Sequence, residues 1–433
     1  MKASGLLITA AGCLGAMVVV LGQGQAPAQV PATPAAAAAP LQQGPGVQSA
    51  NDARYREFVN SKCKNPPQPR GGGAGGGRGG GAAAPPAAPI HRDVKVTEIP
   101  GVIAAGQQWK TVWTGRGNNA DGILADGEAM LFAQNTDSKV MKIDKNGKVS
   151  FPYTGTNTGG ALAMNKKGAL FVIERGLPTA ILQLKPKRQT LANMYNGEPF
   201  ECTGSGTNDL TADSKGGVYF TMGALYYANP KGVVSKQGTL IRNVNGLILS
   251  ADEKTLYVSG TVTPAPPAAG GGGAPAGAPP AAGAGGGGRG GGQAGPGAIP
   301  PAPGAPQAPA GAAAAGGRGG AAGPPAPSAH VGVVAFDVQP DGSLTNEREF
   351  AKVGNDGMTI DAEGRVYVTG GYGVQVLSPD GKLLGEIPAP LNLITAAFAG
   401  KDKKTLYGVA NNQQYVEIFT IQMIAQGYKG RAK

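Results

Sequence analysis

Asp121, Asn208, Asn245 and Asp356 share one local setting: each is followed by Gly or Asp and then by a short apolar run. Carboxylates and carboxamides in one set are what a hard divalent cation takes as ligands, with water in the remaining positions. Two aspartates balance a 2+ charge. A cation held with positions left open can polarise a carbonyl and activate a water. Asp-Gly, Asn-Gly and Asn-Asp are also ordinary turn pairs, favoured where the chain reverses before a strand. The residue types leave both readings open. What separates them is whether the fold brings the four side chains together.

The setting recurs along the chain, opening at Asp121, Gly160, Asn208, Asn245, Asp356 and Thr395, with Phe132, Phe171, Tyr219, Tyr257, Tyr367 and Tyr407 in the strands that follow. The openings are 39, 48, 37, 111 and 39 residues apart, the long one containing a low-complexity insertion, and a period near 40 with several strands per unit marks a β-propeller. The first copy reads as strands Gly122–Ala125, Ala129–Gln134, Val140–Ile143 and Val149–Tyr153. The third reads as Leu210–Ala212, Gly217–Thr221, Ala224–Ala228 and Thr239–Arg242, and the fifth as Met358–Ile360, Val366–Thr369, Val374–Leu377 and Leu383–Ile387. Apolar residues alternate with Thr, Lys and Ser in these runs, and no stretch sustains a 3.6-residue period. The sixth copy holds three strands, so a strand within Val94–Thr114 is expected to complete it and close the ring without free edges. The expected fold class is all-β, a six-bladed β-propeller with an N-terminal closing strand and long Gly/Pro/Ala-rich insertions. Inner strands of such a ring converge on a central channel, which is where the four oxygen-bearing residues would meet.

Glycine (74) and proline (36) are concentrated in two blocks, about Pro66–Pro89 and Pro264–Ser328. Neither composition can bury a core. The expected organisation is a signal peptide over 1–28, a low-complexity tail and linker over 29–90, and the propeller over 91–433. Within the propeller, 264–328 is inserted between the second and third strands of blade four. Lengthening a loop from ~5 to ~65 residues costs only about 2 kcal/mol, so a stable ring can carry it. That turn lies on the same face as the starts of the inner strands, so the insertion is expected there, as a solvated spacer or as a lid.

Lys2, the apolar run Leu6–Leu21 and Ala26-Pro27-Ala28 form a secretory leader, which predicts an exported protein, periplasmic or secreted, or one anchored by an uncleaved leader. No other stretch is long and apolar enough to span a bilayer. Cys63 and Cys202 remain after cleavage and are expected to pair in an oxidising compartment. The net charge of +11 is spread along the chain. Arg70, Arg78, Arg289 and Arg318 precede glycines, but no aromatics accompany them to stack bases, so no nucleic-acid partner is expected. His91 and His330 are the only histidines, each flanking a low-complexity block, which excludes a Ser-His-Asp site. Trp109 and Trp113 are expected to pack the closing blade. Oligomeric state is left open.

Asn208-Asp209-Leu210 with Tyr219-Phe220-Thr221 resembles a motif of the senescence marker protein/gluconolactonase/regucalcin-like family of six-bladed propellers. So do Asn245-Gly246-Leu247 with Lys254-Thr255-Leu256-Tyr257-Val258-Ser259, and Asp356-Gly357-Met358 with Asp361-Ala362-Glu363-Gly364. The resemblance covers about Val94 to Met423 apart from the insertion. It implies one divalent metal at the channel, calcium first, with zinc, magnesium and manganese as alternatives, and hydrolysis of a lactone or small ester. The family's glutamate, two asparagines and aspartate fall on Asp121, Asn208, Asn245 and Asp356, with Asp356 also the implied general base. Asp121 is one methylene shorter than the family's glutamate. Animal members carry a substrate-holding arginine where this chain has Gly206. The alternative function is a non-catalytic propeller that binds a ligand, calcium or a protein.

Overall fold

The computed structural model describes residues 52–68, 89–116, 122–263, 328–354, 356–411 and 415–430. The expected leader, most of the tail, residues 264–327 of the insertion, and Asp121 lie outside the described residues. Six antiparallel sheets follow one another along the chain. Blade one is Ile123–Asp126, Ala129–Gln134, Lys139–Ile143 and Val149–Thr154, paired in that order. Blade two spans Gly159–Met164 to Gln189–Ala192, and blade three spans Leu210–Ala212 to Val234–Gln237. Blade five runs from Met358–Ile360 to Leu383–Pro388. Blade six has three strands, Leu393–Ala399, Thr405–Asn411 and Tyr415–Gln422, and its outermost strand is Lys110–Arg116 from the N-terminal side. That strand pairs antiparallel with Tyr415–Gln422, so the two ends of the ring share one sheet, as the strand count predicts.

Blade four corrects one expectation. Thr239–Arg242 was expected as the outer strand of blade three, which is instead Val234–Gln237. Ile241 and Arg242 join blade four and pair with Val262 and Thr261. The cause is a mismatch in length. The second strand, Thr255–Val262, has eight residues, whereas the inner strand, Leu247–Leu249, has three. The uncovered end of the longer strand takes up Ile241, which is buried. Thr255–Val262 also pairs along its length with His330–Val338, so the two strands flanking residues 264–327 remain neighbours in one sheet.

The core is a set of layers between blades. Leu124 and Leu131 of blade one pack with Leu162 and Val172 of blade two. Ile173 and Phe171 of blade two pack with Leu210 and Phe220 of blade three, and Tyr219 of blade three packs with Leu247 and Val258 of blade four. Similar layers join blades four and five and blades five and six. The sixth layer closes the ring, with Phe132 and Met141 of blade one against Val409 and Ile418 of blade six. Trp113 on the closing strand lies 6.2 Å from Phe132, and Trp109 lies 6.5 Å from Phe419. Because every blade is covered on both faces, the second strands are buried throughout rather than alternating, as in Leu170–Glu174 and Val218–Met222.

At the end of the ring away from the channel mouth, the turns use one device. In Asp144, Asn165, Asp213, Asn229 and Asp361 a side-chain oxygen accepts the backbone N–H groups two and four residues on. Three residues after each stands a glycine with positive φ: Gly147, Gly168, Gly216, Gly232 and Gly364. These turns consume many of the chain's acidic and amide groups in purely local bonds.

On the mouth side, Cys63 and Cys202 form the expected disulfide, with Cα atoms 5.4 Å apart. It ties the helix Ala53–Lys62 to the loop that leads into blade three, where the Tyr55 hydroxyl also donates to Glu201 O (3.1 Å). Among the described residues no helix is long and apolar enough to cross a membrane.

The seam between blades one and two is polar at its mouth end, with Gln134, Asn135, Ser138, Thr156, Thr158 and Glu174 all buried. Burial pushes the Glu174 carboxyl up to about 7, and the nearby Arg188 only partly opposes it. A carboxyl that stays protonated longer in the fold than in the unfolded chain stabilises at low pH, and that stability is lost as pH rises towards 7. Relative to Glu174→Gln, the native protein is therefore expected to lose on the order of 1–2 kcal/mol between about pH 4.5 and 7, after allowing for solvent screening. Urea unfolding at a series of pH values checks this, and parallel curves for the two proteins would contradict it. In the closing layer, Phe132→Ala is expected to cost about 3–5 kcal/mol in the same assay, because Phe132 is fully buried between blades one and six.

Candidate functional site

The inner strands begin at one end of the ring. Asn208, Asn245 and Asp356 each extend the inner strand of their blade by one backbone bond, donating to Thr221 O (2.9 Å), Ser259 O (2.9 Å) and Thr369 O (3.1 Å). None uses its side chain in the local turn bond that Asp144 or Asp213 makes. Their side chains are half-buried, as expected for groups that face a solvent-filled mouth.

Their carbonyls point towards the preceding blade, in a chain of contacts around the mouth. Gly122 N donates to Gly160 O (2.9 Å), and Gly357 N donates to Ile394 O (2.8 Å). Between blades three and four, the Thr221 hydroxyl takes the Asp209 N–H (2.9 Å) and donates to Asn245 O (3.0 Å). Ser259 does the same one blade later, taking the Gly246 N–H (2.9 Å) and donating to Asp356 O (3.1 Å). Between blades two and three the donor is a guanidinium: Arg175 Nη2 reaches Asn208 O (2.8 Å).

The side chains then meet. Arg175 Nη2 also donates to Asn208 Oδ1 (2.8 Å), and Asn208 Nδ2 donates to Asn245 Oδ1. Asp356 is tied to the same group through Ser259, and a Cβ added to Gly246 would press against the Asp356 backbone. Gly357 N makes a second, longer bond to Asp356 Oδ1 (3.1 Å). The structure thus brings the Asn208 and Asn245 side chains into contact at the mouth and holds the Asp356 backbone against blade four beside them. Asp121 lies outside the described residues, although its neighbour Gly122 takes part in the blade-to-blade contacts.

Two opening positions differ from expectation. In blade six the residue whose carbonyl takes the contact from blade five is Ile394, not Thr395. A register shift between Leu393 and Thr395 moves the frame by one residue. It turns Thr395 into the seam against Gly357, where it is fully buried. In blade two Gly160 offers no side chain, and its place is taken by Arg175. A Cβ on Gly160 would lie 2.6 Å from Arg175 Cδ and closer still to Nε and Cζ. Sequence reasoning passed over Arg175 and the hydroxyls of Thr221, Ser259 and Thr369. The hydroxyls had a signal, because each ends a Tyr-x-Ser/Thr triplet at the same point of its blade.

The histidines stand apart from this group. His91 Nε2 pairs with the buried Glu417 (2.9 Å), and His330 Nε2 lies 3.2 Å from Glu349. Gly206, where the resemblance places an arginine in animal members, is exposed, and a Cβ there would meet nothing within 4 Å.

Among the described residues no three His, Cys, Asp or Glu side chains form a cluster. Any cation at the mouth would therefore rest on the carboxamide oxygens as well as on carboxylate. The residues fit that role. Such an oxygen-only set suits a hard ion such as calcium better than a thiolate- or imidazole-seeking one.

A family model described as SMP-30/Gluconolactonase/LRE-like region matches residues 119–265 and 326–410, more than half of the chain. Lactonase drp35 of Staphylococcus haemolyticus is 32% identical over 166 residues, covering 34% of this chain and 49% of that protein. Lactonase drp35 of Staphylococcus aureus (strain USA300) is 28% identical over 167 residues, again 34% and 49%. The chain thus spans about half the length of these curated relatives. Among solved structures, a gluconolactonase from Xanthomonas campestris superposes with a TM-score of 0.51 at 19% identity, over 79% of this chain and 98% of that one, which supports the fold. With a family model matching more than half of its length, the chain belongs to the SMP-30/gluconolactonase/LRE-like family.

Proposed function

We propose that the chain hydrolyses a lactone or another small ester at the channel mouth, with Asp356 as general base. The observation that carries this reading is the bond between the Asn208 and Asn245 side chains, together with the contacts that hold the Asn245 and Asp356 backbones against the preceding blades. Family membership and the lactonase and gluconolactonase names of the similar proteins support the same class of substrate. A divalent cation, calcium first, held by Asn208, Asn245 and Asp356 with Asp121 as the fourth ligand, would supply Lewis-acid polarisation of the ester carbonyl.

Asp356 lies at the rim of the group, half-buried, with its main-chain carbonyl bound by the Ser259 hydroxyl and its Oδ1 accepting the Gly357 N–H (3.1 Å). It takes a proton from the water that attacks the carbonyl carbon. The carbon–oxygen bond to the ring oxygen breaks, and the proton passes to the departing alkoxide, giving a hydroxy acid. Asn208 and Asn245 fix the orientation of the group through their mutual bond. The reaction takes place outside the cytoplasm in this reading, consistent with the leader and with the Cys63–Cys202 bond.

Purified protein is expected to hold about one divalent ion per chain by elemental analysis and to hydrolyse at least one member of a panel of aldonolactones and aryl esters. Chelator should abolish turnover, and calcium should restore it. Asp356→Ala is expected to lower kcat by at least about 1,000-fold, since both proton transfer and a ligand are lost. Full activity of Asp356→Ala would end this reading.

A further inference from the structure

We propose that Arg175 is an oxyanion-binding residue of the channel mouth, delivered from blade two through the space left by Gly160. The inference rests on the hydrolase reading and adds to it the group that receives the negative charge. Blade two has no side chain at its opening position, Gly160. Its contribution is borrowed from the residue that follows its second strand, and only glycine at position 160 leaves room for it.

The backbone around Arg175 is built for this placement. Asn157 and Thr158 both have positive φ, 40° and 56°. For a β-branched residue such as Thr158 that conformation is costly and persists only where surrounding contacts hold it. Those contacts are present. Asn135 Nδ2 donates to Thr158 O (2.6 Å), and the Ser138 hydroxyl accepts the Thr158 N–H (2.9 Å). The strained pair in turn receives the chain at Arg175, with Arg175 N on Thr158 O (3.4 Å) and Gly176 N on Asn157 O (2.9 Å). At its far end the guanidinium is oriented by two bonds from Nη2 to Asn208.

Arg175 is only 8% exposed. A cation that is buried and already oriented acts on developing charge more strongly than one in water, and it does not reorganise during the reaction. Ester hydrolysis creates such charge at the carbonyl oxygen and ends in a carboxylate. A planar guanidinium suits both oxygen centres. The open, side-chain-free position at Gly206 leaves the mouth without the arginine that the family resemblance implied, and Arg175 supplies a cation from a different strand. The substrate carbonyl is accordingly expected to face blade two, with the attacking water on the Asp356 side.

The test compares wild type with Arg175→Ala, Arg175→Lys and Gly160→Ala, using the lactone or ester that the wild type turns over best. Gly160→Ala keeps the arginine and the other mouth residues but places a methyl group where the guanidinium stem lies. Arg175→Ala and Gly160→Ala are each expected to lower kcat about 100-fold, with KM changed far less. Arg175→Lys should fall between them and wild type. Gly160→Ala displaces the bond that holds Asn208 O, so its melting temperature is expected to fall, whereas Arg175→Lys should keep metal content near wild type, and added guanidinium chloride at non-denaturing concentration should restore part of the Arg175→Ala rate. Wild-type kcat in both Gly160→Ala and Arg175→Lys would overturn the Arg175 inference while leaving the hydrolase reading intact. A wild type that turns over no lactone or ester would overturn both.

Discussion

The blade-to-blade hydrogen bonds at the channel mouth are the constraint on which the site depends. In five successive junctions, from blade one to blade six, a donor on one blade binds the carbonyl at the opening position of the next. Two of these donors are backbone N–H groups, two are hydroxyls that relay a backbone N–H, and one is the Arg175 guanidinium. The backbones of the function-bearing residues are therefore placed by the same bonds that register the blades against one another. The apolar layers between blades supply most of the driving force. They are not directional, however, and could not by themselves set which way Asn208 or Asp356 points.

The two ends of the ring use the same residue types for different ends. Away from the mouth, Asp144, Asn165, Asp213, Asn229 and Asp361 spend their oxygens on backbone N–H groups two and four residues ahead, with a left-handed glycine completing each turn. At the mouth, the Asn208 side chain bonds to Asn245 and to Arg175 instead. A carboxamide that closes its own turn is unavailable to a ligand. One that reaches across blades is already in the geometry that a ligand would use.

Much of this was legible in the sequence. The spacing of the copies, the missing strand of the last blade, the pairing of Cys63 with Cys202 and the equivalence of Asn208, Asn245 and Asp356 all follow from local patterns that recur. What escaped depends on single-residue shifts or on an absence. The shift between Leu393 and Thr395 moves one opening position by a residue without changing the apolar pattern. Ile241 and Arg242 were assigned to the wrong blade because the length of the second strand of blade four, not the turn residues before it, decides their partner. Arg175 was the hardest to see. Its role follows from glycine at position 160, more than ten residues earlier, and only the pairing of the two strands shows that the guanidinium fills the gap.

The central claim is that oxygens from blades three, four and five, aligned by these contacts, form one cation-holding group. A crystal structure of the protein grown with calcium tests it most directly. The account predicts a single strong anomalous peak at the channel mouth, bonded to side-chain oxygens of Asn208, Asn245 and Asp356. A mouth without such a peak, or a calcium ion bound only at the turns on the opposite end of the ring, would contradict it.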